Sequence, residues 1–361
     1  MAKNDFGYVS DAYGTATNFL QVWLWPIVWQ LVSDTALSNH DLYNPCVFAL
    51  SLTTLETILG EPVAIYSTFV IEERFGFNNY TAGSYIKDKL KNFAVNVLIE
   101  AILWVGLILV VDWAGKNAWF YLWVFLSLFV LVFNMLYPVV IAPLTNTFKP
   151  LEEGELKKGI EQLIAQTGLN CKKVFEVDGS KQSKHSNAYV AGMLGTKRIV
   201  IYDTLVTDLD GDIDMIKSVV GHEIGHSIEH HQWVLLVTSL VNFFILFWTY
   251  GFFQNTPSVV TSFGFKEVNT YLSLRCFMTV YTGLIFPLWM VAMNAVTRWL
   301  EFRADRYSAR LGYDIRPSLL KISKTNKGDL NPDWLHSLWH HNHPPLLERL
   351  HAVTEYMKKS K

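Results

Sequence analysis

The stretch His222-Glu223-Ile224-Gly225-His226 lies inside an apolar helical run, and its reading decides what the rest of the chain must build around it. Residues four apart share one face of a helix, so this spacing brings the His222 and His226 imidazoles together. Glu223, between them, can reach a water held by a metal ion at that pair and act as a general base. Two histidines and a glutamate at these places also arise by chance on ordinary surface helices. The motif gains meaning only with a third ligand, a substrate-holding segment and partners for the ligands elsewhere in the chain.

A catalytic zinc takes three protein ligands and keeps one position for water. Outward from the motif, the best third ligand is Glu301 in Glu301-Phe302-Arg303-Ala304-Asp305, which follows an apolar span with no loop between. Asp305 stands one helical turn further on, so one carboxylate can ligate while the other accepts a ring N–H from a ligand histidine. The same residues with Arg306 and Arg310 also read as an interfacial charge cluster, and spacing alone leaves both readings open. His230, His231, His340 and His341 are expected at the surface, because one zinc uses only two or three histidines. His343 stands apart: it precedes Pro344-Pro345 and lies six residues before Arg349, a cation able to anchor a carboxylate or stabilise a developing oxyanion.

The surroundings of these residues are those of a membrane protein. Of 361 residues 51% are hydrophobic, 14% aromatic and only 17% charged, with mean hydropathy +0.20, which is not the balance of a soluble domain. A formal charge of -2 gives no reason to expect nucleic acid as a partner. Cys46, Cys171 and Cys276 are too scattered for a disulfide framework and read as free thiols. A helical span needs about 20 mostly apolar residues, and six stretches approach this: Thr15–Val32, Cys46–Phe69 with Gly60-Glu61-Pro62 interrupting it, Phe93–Val111, Trp119–Leu144, Trp233–Phe253 and Cys276–Val296. Arg74, Lys87, Lys89 and Lys91 follow the second stretch, and basic residues crowd Lys149–His231 and the C-terminal tail, whereas the alternate connections carry few. The positive-inside rule then puts both termini and the polar region in the cytosol. No cleavable signal peptide is visible, so insertion is expected to use internal helices.

The chain accordingly divides into residues 1–144 with about four spans, a cytosolic catalytic segment at 145–232, two further spans at 233–297, and a segment at 298–361 that completes the metal site. Within the polar parts, Glu152–Thr167 and Asp212–His230 read as helices, Lys172–Val177 and Lys197–Ile201 as short strands. Trp299–Leu311 continues the sixth span as helix, and Ser318–Lys361 reads as helical with a break at Pro344-Pro345.

Further segments stand in order along the chain: Tyr66–Glu73, Phe75–Asn78, Ile141–Leu144, Asp178–Lys181, His185-Ser186-Asn187-Ala188-Tyr189, Lys197–Val200 with Asp203-Thr204-Leu205, the HEIGH residues, Glu301–Asp305, and His343–Arg349. Together they resemble the type I CAAX prenyl endopeptidases, integral-membrane zinc metalloproteases of the endoplasmic reticulum and inner nuclear membrane. What this resemblance implies is a mostly α fold, a multi-span membrane protein with helices ringed around a water-filled chamber plus a small α+β zinc metalloprotease domain. It implies one Zn2+ on His222, His226 and Glu301, with Glu223 as general base and Asp305 orienting a ligand. His343 and Arg349 would hold substrate or stabilise the tetrahedral intermediate, and Asn187, with His185 and Tyr189 beside it, would line the edge strand that pairs with substrate. The implied partners are membrane lipid and prenylated CAAX-protein substrates, cut after the prenyl-cysteine to release three residues, with a second upstream cut in some members. Lys358-Lys359-Ser360-Lys361 resembles a dilysine retrieval signal. The family's first span has no counterpart before Thr15, which gives six spans for the family's seven. Two other readings share the zinc residues: an HtpX-like membrane quality-control protease, and an inactive membrane scaffold whose chamber is lost with that span.

Overall fold

Runs of apolar residues too long and too uniform for amphipathic surface helices are what the chain turns into its longest helices. In the computed structural model, which describes residues 2–35, 42–171, 173–181, 183–185, 187–192 and 197–359, two compact units emerge. One comprises Met1–Val130 with Leu240–Ile285, the other Leu131–Ser239 with Phe286–Lys361.

Among the described residues, three helical segments are long and apolar enough to cross a membrane: Tyr43–Phe75, Ala82–Leu144 and His231–Phe253. Thr270–Leu284 and Phe286–Arg310 meet the same measure only when taken together across the break at Ile285. The 63 residues of Ala82–Leu144 contain two of the sequence-expected stretches, and they double back. A straight helix would hold Gly106 and Phe125 about 28 Å apart, yet a Cβ built on Gly106 would meet the Phe125 ring at 2.1 Å. The reversal falls at the one-turn 3-10 segment Gly115–Asn117, where Gly115 takes φ 54°. The first expected stretch lies in helix Ala2–Ser33, whose Asn18, Gln21, Gln30 and tryptophans leave it less apolar than the others. Gly60-Glu61-Pro62 does not interrupt the second stretch: helix Tyr43–Tyr66 runs through Pro62 and passes into a π-helical turn at Ser67–Glu72. Trp25, Trp29, Phe48, Trp104 and Tyr271 pack ring on ring as the aromatic core of this unit.

The second unit is built on a four-stranded sheet in the order β1-β2-β4-β3, where β1 is Phe148–Pro150, β2 Val174–Val177, β3 Ala188–Ala191 and β4 Arg198–Tyr202. β2 and β4 are parallel, while β1 and β3 are antiparallel additions at the two edges. β2 and β4 correspond to the two expected strands, though Lys172 lies outside the described residues. Alternation places Ala188 and Val190 of β3 inward with Ile199 and Ile201 of β4. Helix Glu155–Thr167 adds Ile160 and Leu163 to this core, and helix Ile213–Ile228 adds Ile216, Val220 and Ile224. The expected C-terminal helical run is three helices, Arg316–Thr325, Trp334–His340 and Leu346–Lys359. Ser360 and Lys361 of the dilysine-like tail lie outside the described residues.

Candidate metal centre

Helix Ile213–Ile228 is capped by Asp212, whose carboxylate accepts from the N–H groups of Asp214 and Met215. Its Ile216, Val220 and Ile224 repeat every four residues and face the sheet core. His222 and His226 lie two residues off that register, about 200° around the helix, and so face the other way. The partner on that side is helix Phe286–Arg310, which turns Leu300, Glu301, Ala304, Asp305 and Ser308, all buried, toward the contact. The two helices approach closely because the facing positions are small. A Cβ on Gly221 would come 3.2 Å from Ser308 Oγ, and Ser308 donates to the Ser218 carbonyl at 2.7 Å.

This approach delivers Glu301 to the histidine pair. His222 Nε2 and His226 Nε2 are 3.1 Å apart, Glu301 Oε1 is 3.2 Å from His226 Nε2, and Glu301 Oε2 is 3.4 Å from His222 Nε2. Ligands at the usual 2.0–2.1 Å around a tetrahedral zinc lie about 3.3 Å from one another, so the three donors have the spacing of one face of such a shell. Glu301 is 4% exposed, and its Oε2 makes no hydrogen bond among the described residues, with Arg349 Nη2 3.5 Å away. The donor set therefore fits a zinc ion. It is also the single group of three or more histidine, cysteine or carboxylate ligands that converges in this way among the described residues.

Each ligand is held from behind. His222 Nδ1 stands 2.9 Å from Asp305 Oδ1; the two are within ion-pair distance though the ring is not aligned for a hydrogen bond, and an Asp305 carboxylate there favours the hydrogen on Nδ1, leaving Nε2 for a metal. Asp305 is itself gripped by the Arg349 fork, Nε to Oδ2 at 2.8 Å and Nη2 to Oδ1 at 2.6 Å. Burial works against a charged His222 ring, but Asp305 and Glu301 outweigh it and hold its pKa up to about 10 in the metal-free protein. Burial pushes the Glu223 carboxyl above its ordinary value, with Glu301 adding to the rise and His222, His226 and Arg349 opposing it. Arg349 also comes within 3.5 Å of Glu301 Oε2. Its side chain is thus engaged by two carboxylates rather than extended toward solvent. His343 Nε2 lies 3.5 Å from Glu301 Oε1 on a side chain 58% exposed, at the open side of the centre.

The expected substrate residues sit on and before β3. Asn187 is exposed at the edge; its Oδ1 accepts from the Ala188 N–H at 2.8 Å and its carbonyl from Tyr202 N at 3.1 Å. That second bond aligns odd-numbered residues of β3 with β4 and turns the Ala188 and Val190 backbone groups outward, where Asn187 Oδ1 takes the Ala188 N–H and Gln232 the Val190 carbonyl. His185 lies 3.1 Å through Nδ1 from Asn326 Oδ1, and its carbonyl accepts from Thr204 Oγ1. Tyr189 packs edge-on against Tyr202, and burial pushes its phenol up to about 12. Ser186 lies outside the described residues.

His231, expected at the surface, and Gln232, which sequence reading passed over, adjoin the centre. His231 is not at the surface: it is 1% exposed, with Nδ1 at 2.9 Å from His226 Nδ1. Gln232 Nε2 donates to the Val190 carbonyl at 2.9 Å, tying the edge strand to the chain that follows the HEIGH helix. The five-residue step from His226 to His231 was visible, but the turn that makes it a contact was not.

Nitrogen, nitrogen and carboxylate oxygen at tetrahedral spacing, with a half-buried glutamate directly after the first histidine, define a metallopeptidase of the HExxH class. Comparison with known proteins narrows this. Residues 1–147 match the family described as CAAX prenyl protease N-terminal, five membrane helices, and residues 150–357 match peptidase family M48. A CAAX prenyl protease 1 homolog of Arabidopsis thaliana is 35% identical, covering 94% of this chain and 80% of that one. CAAX prenyl protease 1 of Saccharomyces cerevisiae is 33% identical over 100% of this chain and 85% of its own length. The crystal structure of S. mikatae Ste24p matches with a TM-score of 0.89 and 32% identity, covering 98% of this chain and 86% of that chain. The chain belongs to the CAAX prenyl protease 1 family of M48 peptidases, and it is a membrane CAAX prenyl metalloprotease. These matches do not favour the quality-control and scaffold readings.

Proposed function

We propose that His222 Nε2, His226 Nε2 and Glu301 hold a zinc ion, and that the enzyme cleaves prenylated CAAX proteins after the prenyl-cysteine to release the last three residues. The observation that carries the metal assignment is the triangle of donors at 3.1, 3.2 and 3.4 Å. When bound, zinc supplies polarisation of the scissile carbonyl and acidification of water. The chain's own residues do the rest. Glu223, raised by burial, takes a proton from the attacking water and returns it to the leaving amine. The outer edge of β3, with Asn187, pairs with the extended peptide backbone. His343 offers a ring nitrogen to the developing oxyanion, and Arg349 keeps Asp305, and through it His222, in place. Substrates arrive by lipid, since a prenyl chain partitions into the membrane. The endoplasmic reticulum, with the catalytic unit and C-terminus cytosolic, is the location that suits this role.

Purified protein loaded with zinc is expected to cleave a farnesylated CAAX peptide and to lose that activity in Glu223→Ala with the ion retained. Equal turnover of the unprenylated peptide would move the assignment to general membrane proteolysis, and no turnover with one ion bound would make the chain a scaffold.

A further inference from the structure

The HEIGH helix ends at Ile228, and the next helix begins at His231. Between them His230 takes φ 58°, in the left-handed region that non-glycine residues rarely occupy. This tight corner swings His231 back beneath His226. The rings meet edge to face, centroids 4.9 Å apart and planes at 79°, with the two Nδ1 atoms 2.9 Å apart.

The hydrogen positions follow from chemistry. His226 Nε2 is the atom that converges with His222 Nε2 and Glu301, so Nδ1 of the same neutral ring carries the hydrogen. His231 Nδ1 is then the acceptor, and the hydrogen of the His231 ring sits on Nε2, which lies 3.3 Å from Glu229 Oε2 without making a hydrogen bond to it. Glu229 receives Arg303 Nε at 2.6 Å and lies 3.6 Å from Arg310 Nη1. Both arginines stand on Phe286–Arg310, the helix that supplies Glu301. His231 thus stands between one ligand and the Glu229 carboxylate that anchors Arg303 on the helix of another ligand.

We infer that His231 is a positioning residue for the metal centre, fixing the tautomer and ring plane of His226 as Asp305 fixes those of His222. The two ligands differ in what holds them. His222 leans on an anion, whereas His226 leans on a neutral imidazole, which orients the ring without adding a further negative charge to a site that already contains Glu301, Glu223 and Asp305. The inference rests on the metal reading above, and its test separates the two.

The measurement is zinc retention by the purified enzyme against a chelator of known affinity, beside thermal unfolding of the same samples. His231→Phe fills the volume but accepts no hydrogen bond, and it is expected to weaken zinc binding roughly 10–100-fold. His231→Asn, whose Oδ1 can occupy the place of Nδ1, is expected to hold the ion nearly as tightly as the parent. Parental affinity in His231→Phe, with zinc lost in a His226→Ala control, overturns the positioning role alone. Zinc retained in both overturns the metal assignment itself. Equal loss in the Phe and Asn variants, tracking their loss of thermal stability, assigns His231 to packing and also overturns the inference. Should His231→Phe fail to fold, the readout is the visible spectrum of cobalt-loaded His231→Leu, which is smaller than the parent side chain and accepts no hydrogen bond. A shift from the parent spectrum supports an acceptor that tunes His226, and an unchanged spectrum overturns it.

Discussion

Gly225 of the HEIGH helix rests against Tyr307 of the Glu301 helix so closely that a Cβ on the glycine would lie 3.0 Å from Tyr307 Cβ and 3.2 Å from Cδ1. The atom met is the root of a side chain, which cannot swing away without moving its backbone. Gly225→Val is therefore expected to force the helices apart at a cost of about 1–3 kcal/mol and to draw Glu301 away from the histidine pair. Thermal unfolding and zinc competition check this together. Parental zinc affinity in a destabilised valine variant would show that the ligand spacing does not depend on this contact.

Glu223 is the group whose removal separates chemistry from assembly. Glu223→Gln keeps size and burial but removes the base, and a positioned general base contributes roughly 10²–10⁴-fold. Loss of kcat on that scale with unchanged zinc content is expected, measured on a farnesylated peptide. A variant that keeps its kcat would assign the proton transfer elsewhere.

The HEIGH residues were legible because a helix is local: four-residue spacing places both imidazoles on one face whatever lies around them. Glu301 and Asp305 were legible as a pair one turn apart, but the sequence alone could not separate ligands from an interfacial ion cluster. That depends on Gly221 and Gly225 admitting the other helix, a contact between residues about eighty positions apart. β1 and β3 escaped a reading by alternation because strands of three and four residues have almost no period to show, and their pairing is non-local. His231 was misread for a related reason. Glu229-His230-His231-Gln232 is polar enough to be a solvated loop, and only the left-handed turn at His230 sends His231 inward. Four of the six expected apolar stretches fall in span-length helices, since apolarity over about 20 residues needs no partner to be recognised, whereas the first lies in a less apolar helix and the sixth is split at Ile285.

Arg349 and Asp305 form a pair whose halves are not independent. Arg349→Met leaves the Asp305 carboxylate, which is 0% exposed, without its fork, and stranding a buried charge costs about 3–5 kcal/mol. Adding Asp305→Asn removes the stranded charge while keeping an acceptor for His222. The double variant is thus expected to be more stable than Arg349→Met alone, and a double-mutant cycle by denaturant unfolding measures the coupling. Strict additivity would show that the pair carries no mutual stabilisation.

In the metal-free protein the His222 ring holds its proton up to about 10 because two carboxylates face it, whereas an unfolded histidine titrates near 6.5. The folded form binds the proton more tightly than the unfolded form. His222 therefore contributes stability that is complete below about pH 6.5 and is lost as pH rises through about 10. Melting temperatures of chelator-treated enzyme are expected to fall across that window, and His222→Gln is expected to flatten the decline. A metal must displace the same proton to reach Nε2 or to set the ring neutral, so zinc binding at pH 7 is expected to release at least one proton. Calorimetric titrations in buffers of different ionisation enthalpy read that release directly, and a buffer-independent enthalpy would mean that His222 is already neutral before the ion arrives.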